Sequence, residues 1–229
     1  MARFTPLFPS SAVRDEVAPM NRSLVVASVV FTGFFLCLSL PWNPQVPGLW
    51  KHPLVAHLAC PVLILLLLKM NPLHNGLGIG NWRKGLLLSF LASIAVLSSC
   101  FLFAKVPAMQ HYYSSPRWGS GDAGALLLAE GGRLKTLIGW EFLFRGFLLF
   151  PLSEALGPAA NLIQATLCAL AHKGKPLVEF YGSFPFALLL GYLARKSGSV
   201  WYGVYVHWLL GFSLELYIAI GNRGTIPFL

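Results

Sequence analysis

Glu141 and Arg145 stand four residues apart in Trp140-Glu141-Phe142-Leu143-Phe144-Arg145-Gly146-Phe147-Leu148-Leu149-Phe150, a stretch that is otherwise apolar. Four residues make a little over one helical turn, so both side chains leave one face of a helix. A carboxylate and a guanidinium inside an apolar helix are costly unless they face the interior of a bundle and pair there. Two histidines follow: His172 ends one apolar run and His207 lies in the middle of the last one. Gln164, Cys168 and His172 recur at spacing four, as do Gly203, His207, Gly211 and Glu215. A buried carboxylate can take a proton from water, and an imidazole can polarise water, bind a metal or steady an oxyanion. One Glu and two His from three helices can also form a zinc site with an open position, the ligands then being Glu141, His172 and His207. Arg145, one turn away, holds Glu141 ionised and fixes its rotamer. Gly203 and Gly211 remove bulk on either side of His207, so that a neighbouring helix or a substrate backbone can come close. Glu179 stands one turn after Pro176 and can face His172 across a short turn, whereas Glu154 and Glu215 sit near helix ends and read as interfacial. The chemistry this set permits is hydrolysis within or at the edge of a bilayer. A structural ion pair and a helix-end histidine are the bland alternatives.

The container for these groups must be a membrane. The 229 residues are 56% hydrophobic and 11% charged, against roughly 25% charged in a soluble domain. A soluble globular domain is thereby excluded. The net charge of +9 is spread over short links between apolar runs, where Lys and Arg serve orientation and lipid headgroups rather than nucleic acid. Cys37, Cys60, Cys100 and Cys168 each lie inside an apolar run with no CxxC spacing, and read as small buried hydrophobes.

Residues 1–22 read as a loosely ordered tail, and 23–229 as one membrane domain. Apolar helices are expected over 23–40, 54–70 with a kink at Pro61, 85–104, 137–155, 159–172, 177–194 and 199–220. A short amphipathic helix at 123–138, interrupted at Gly131-Gly132, sets Glu130, Arg133 and Lys135 among leucines. It lies along the interface or forms the first turns of the next helix. The fold class is therefore all-α, a polytopic bundle of seven to eight transmembrane helices. Helices over the first hundred residues carry no mid-span charge, so they read as scaffold and the C-terminal half as a site. No internal repeat points to a transporter.

Glu141-x-x-x-Arg145-Gly146, a His ending a helix about thirty residues later, and a His in the last helix together resemble the CPBP family. That family comprises the type II CAAX prenyl endopeptidases and the bacteriocin-processing or self-immunity proteins, also called the abortive-infection family. The resemblance covers residues 120–220, and Ser199-Val200-Trp201 resembles the family's approach to its last motif. It implies a bundle of about eight helices around a conical cavity and an intramembrane endopeptidase. In it a Glu and two His activate water against a peptide bond, with or without a divalent metal such as zinc. Three positions depart from the family pattern: Trp140 replaces the first of two glutamates, Cys168 a Phe, and Gly211 an Asn or Asp.

The catalytic set implied is Glu141, Arg145, His172 and His207, with Glu179 as a replacement carboxylate. Lys175, Trp140 and Gly211 are expected at the substrate, Lys175 as an anion-stabilising donor. The expected partners are a membrane-associated peptide or protein substrate and the bilayer, with no nucleic acid, in the bacterial cytoplasmic membrane. Trp140 and Gly211 also fit a catalytically silent scaffold or immunity protein that binds a partner in the same cavity. A small proton-coupled transporter is the remaining alternative.

Overall fold

The computed structural model describes residues 26, 28, 29, 31, 32, 54–115 and 123–222. The expected tail at 1–22 and most of the expected first helix lie outside these residues. Every regular element among them is helical, in the order α1 (Val55–Leu67), α2 (Trp82–Phe103), α3 (Pro107–Tyr113), α4 (Ala123–Leu156), α5 (Ala159–Leu170), α6 (Leu177–Ser197) and α7 (Trp201–Asn222). This is a polytopic helix bundle. Four stretches are long and apolar enough to cross a membrane: Leu73–Phe103, Ala123–Leu156, Leu177–Ser197 and Trp201–Gly221.

Two expected spans are shorter than the sequence suggests. Helices α1 and α5 are apolar but fall in the 10–17 residue range, below the roughly 20 residues a full crossing needs. Each ends where the backbone turns. Lys69 adopts a left-handed φ of 58° just after α1, and α5 stops at Leu170, before a turn containing Gly174 at φ 92°. His172 therefore sits in a turn rather than on the helix.

Helix α4 differs in the opposite sense. It runs unbroken through Gly131-Gly132, where an interruption was expected. Two helical glycines cost about 1 kcal/mol each relative to Ala. The ion pair of Glu130 with Arg133 and the packing of α4 on α7 outweigh that cost. Of the two readings of this stretch the second holds: it forms the first turns of one long span, and it delivers Arg133 into the bundle.

Within α4, Phe142–Leu149 is wound as a π-helix. Pro151 has no N–H to give the Phe147 carbonyl, so a regular α ladder is broken there in any case. Every residue from Glu141 to Leu149 is buried, and Phe142, Phe144 and Phe147 are fully so. This segment is the packing centre of the fold. The Asn75 carbonyl approaches it so closely that a Cβ on Gly146 would stand 2.8 Å from that oxygen. The loop before α2 then docks on the α6–α7 turn. Asn81 N–H donates to Ser197 O at 2.6 Å, Val200 N–H to Gly76 O at 3.0 Å, and the Trp201 indole to Leu77 O at 2.8 Å. Gly76 makes this possible with a φ of 98°. On the outside, α2 exposes Leu86, Leu87, Phe90, Leu91 and Ile94, the apolar exterior that a bilayer covers.

Candidate active site

The centre of the site is a carboxylate with no exposure. Glu141 Oε1 accepts from His207 Nδ1 at 2.7 Å and stands 3.3 Å from Arg145 Nη1. The ionised carboxylate only accepts, so Nδ1 carries the proton and Nε2 of a neutral His207 keeps its lone pair. The other Glu141 oxygen, Oε2, makes no hydrogen bond. It faces Gly203, where a Cβ would stand 3.0 Å away. Gly203 is therefore small for the carboxylate's sake, and not for a substrate backbone.

His172 is oriented in a similar way. Its Nδ1 lies 2.8 Å from the Cys168 carbonyl oxygen, which can only accept, so Nδ1 is again the donor and Nε2 the lone-pair nitrogen. Burial holds the His172 imidazole below its ordinary value near 6.5, while the Cys168 carbonyl and Glu179 pull it the other way. His172 is thus neutral at neutral pH.

Two cavities meet at these histidines. One, of about 400 Å³, is polar on one side, with Arg133, Trp140, Lys175 and Gly211 in its wall. The other, of about 300 Å³, is apolar and takes in Val96, Phe103, Met109, Phe186 and Leu189. His172, His207, Glu179 and Tyr113 line both. The Phe186 ring meets His207 edge-on at 5.3 Å, and the Trp140 ring meets His57 and His172 edge-on at 5.6 and 5.8 Å.

The structure brings most of the expected residues to one place. Glu141, expected as the general base, lines neither cavity; its hydrogen bond to His207 connects it to the wall of both. Successive helical residues point about 100° apart, and here Trp140 takes the cavity wall while Glu141 turns toward α7. Arg145 is buried with it as its counter-charge. Glu179 does reach the cavities, but both its oxygens are occupied. Oε2 accepts from the Tyr113 hydroxyl at 2.6 Å, and Oε1 lies 3.7 Å from Lys175 Nζ. Burial and the Glu179 charge push the Tyr113 hydroxyl well above its ordinary value, so it stays a donor. Lys175, expected as an anion-stabilising donor, lines the larger cavity and points its Nζ at the Tyr113 hydroxyl at 3.3 Å and over the face of Tyr112.

Among the described residues no three His, Cys, Asp or Glu side chains are grouped to hold a metal ion. Glu141 is the hydrogen-bond acceptor of His207 instead of its co-ligand, so the ligand set Glu141, His172, His207 is not assembled.

The sequence reading left Arg133 and Tyr113 out of the site. Tyr113 carries no periodic signal. Arg133 had one in Glu130-x-x-Arg133, a pair at ion-pairing spacing, but the two glycines between them read as a helix break.

Residues 134–213 match the protein family described as Type II CAAX prenyl endopeptidase Rce1-like. No curated protein and no solved structure matches the chain.

Proposed function

We propose, from the match of residues 134–213 to the type II CAAX prenyl endopeptidase Rce1-like family, that the protein is an intramembrane endopeptidase cutting a membrane-associated peptide or protein. The observation that carries this is the Glu141–His207 hydrogen bond at the wall of a cavity that His172 also faces. His207 Nε2 takes a proton from water as the water oxygen attacks the scissile carbonyl carbon. Glu141 fixes the tautomer and stabilises the imidazolium that forms, the part a carboxylate plays beside a histidine base. Collapse of the tetrahedral intermediate breaks the C–N bond, and His207 returns the proton to the leaving amine. His172 Nε2 supplies a second acceptor that orients the water. The apolar cavity receives the hydrophobic part of the substrate. No step is routed through a metal.

The bacterial cytoplasmic membrane is the proposed location. The second reading is a silent scaffold, favoured by the Trp140 indole in the cavity wall. One comparison separates the two. Protein termini are mapped in membranes carrying the wild type or the His207→Ala variant. Termini present only with wild type support the protease, and identical termini leave only the scaffold.

Two smaller effects follow from the geometry. Gly203→Ala sets a methyl 3.0 Å from Glu141 Oε2 and pushes the carboxylate off His207. Cleavage then falls by about tenfold or more, because small misplacements at a reacting centre are costly, with little change in thermal unfolding. Glu179→Gln removes a negative charge that raises the His172 pKa. The imidazole then protonates at lower pH, so an NMR titration of the His172 ring has its midpoint moved further below 6.5 than in wild type. Cleavage at neutral pH stays within about an order of magnitude of wild type, whereas a Glu179 acting as the base would lose about 10²–10⁴-fold.

A further inference from the structure

Gly211 lies one turn after His207 on α7, and both line the larger cavity. Glycine is needed there for a reason visible in the structure: a Cβ on Gly211 would overlap Arg133 Nη1, with the guanidinium carbon 3.3 Å away. The space beside His207 that a side chain at 211 would fill is filled from α4 instead. Arg133 is held there on two sides. Its Nη2 donates to Glu215 Oε1 at 2.5 Å, and its Nε lies 3.2 Å from Glu130 Oε2. Glu130 is itself fixed by the Trp208 indole N–H at 3.0 Å. Nη1, the remaining nitrogen, is the one set against Gly211, in the wall that also carries His207 and His172.

We infer that Arg133 is the oxyanion donor of this site, its Nη1 stabilising the negative oxygen that forms when water attacks the scissile carbonyl. The inference rests on the protease reading for its reaction, but the anion site itself does not. The charge on the substrate oxygen appears only in the transition state. A guanidinium already locked by two carboxylates needs no reorganisation to meet it. The flanking glutamates cancel its long-range field, so it acts through the directed N–H and not as a general attractor of anions. Lys175 points instead at Glu179 and Tyr113, whereas Arg133 Nη1 stands against Gly211, one turn from His207.

Two arms test this with the full-length protein in nanodiscs. In the first, a peptide spanning a cut found by terminus mapping is hydrolysed. Arg133→Ala lowers kcat by about 10²–10³ with KM little changed, the size expected for one lost oxyanion donor, and Arg133→Lys retains part of the rate because it keeps the charge without the fork. Gly211→Asn alone displaces Arg133 and also loses kcat. Arg133→Ala combined with Gly211→Asn recovers at least tenfold over Arg133→Ala, because the amide enters the vacated space. A purely structural Arg133 gives no such rescue. In the second arm, binding of N-lauroyl aminomethylphosphonate, a tetrahedral anion, is compared with N-lauroyl glycinamide. Wild type prefers the phosphonate by tenfold or more, and Arg133→Ala abolishes the preference. Wild-type kcat in Arg133→Ala, or an unaltered phosphonate preference, overturns the assignment. If wild type hydrolyses no peptide yet keeps an Arg133-dependent phosphonate preference, the anion site stands and the protease reading falls.

Discussion

His207→Ala is expected to lower the single-turnover rate of peptide cleavage by about 10²–10⁴-fold, the usual contribution of a positioned general base. Glu141→Gln should cost nearly as much, although Glu141 touches no substrate. The reason lies in the proton on Nδ1. Ionised Glu141 can only accept, so His207 keeps its Nε2 lone pair toward the cavity. A glutamine can turn its NH₂ toward Nδ1, which then becomes the acceptor and leaves Nε2 protonated. A histidine in that tautomer cannot take a proton from water. The corresponding change in a serine protease triad leaves the geometry intact and costs about 10⁴ in kcat. Because Glu141 works only through His207, the double variant should be no slower than the worse single variant. Additive losses would mean that Glu141 acts on the reaction independently, as the family resemblance implies. The measurement is single-turnover cleavage of a mapped substrate peptide by the four proteins, each checked for unaltered thermal unfolding.

The pairing of Glu141 with Arg145 was legible from spacing alone, because helical geometry leaves few other places for two charges in an apolar run. The winding of that run was not. A π register changes no residue type, and its signal is Pro151, which equally fits an ordinary kink. His172 and His207 were legible as site residues because titratable groups are rare in apolar spans. Their division of labour was not, since it depends on which neighbour meets which ring nitrogen. The two glycines flanking His207 were legible as space for a neighbouring helix or a substrate backbone, but not as to which side chain enters it. Gly203 makes room for the Glu141 carboxylate and Gly211 for the Arg133 guanidinium. Both occupants come from α4, and contacts between helices so distant in sequence leave no periodic trace. Arg133 was hidden by propensity: Gly131-Gly132 reads as a break, and tertiary packing overrode it.

Arg145→Leu is expected to be the most destabilising substitution among those considered, by about 3–5 kcal/mol, the range for removing one partner of a buried ion pair. Arg145 is 1% exposed and Glu141 not at all, so neither charge can reach water when its partner is lost. Dispersion contacts do not rescue the variant, because leucine is smaller than arginine and leaves space among Phe142, Phe144 and Phe147, which pack without exposure. A second substitution separates charge from shape. In Arg145→Leu with Glu141→Leu no buried charge remains, and buried pairs replaced by apolar groups are commonly neutral or stabilising. The double variant should therefore unfold closer to wild type than Arg145→Leu does, while cleaving no better than Glu141→Gln. Reversible unfolding in lipid or detergent reads the first half of this expectation and single-turnover cleavage the second. A double variant as unstable as Arg145→Leu would locate the loss in packing volume and not in the orphaned carboxylate. Recovery of stability without recovery of cleavage would show that the chain carries this buried pair at a cost to its fold, for the sake of the histidine that Glu141 holds.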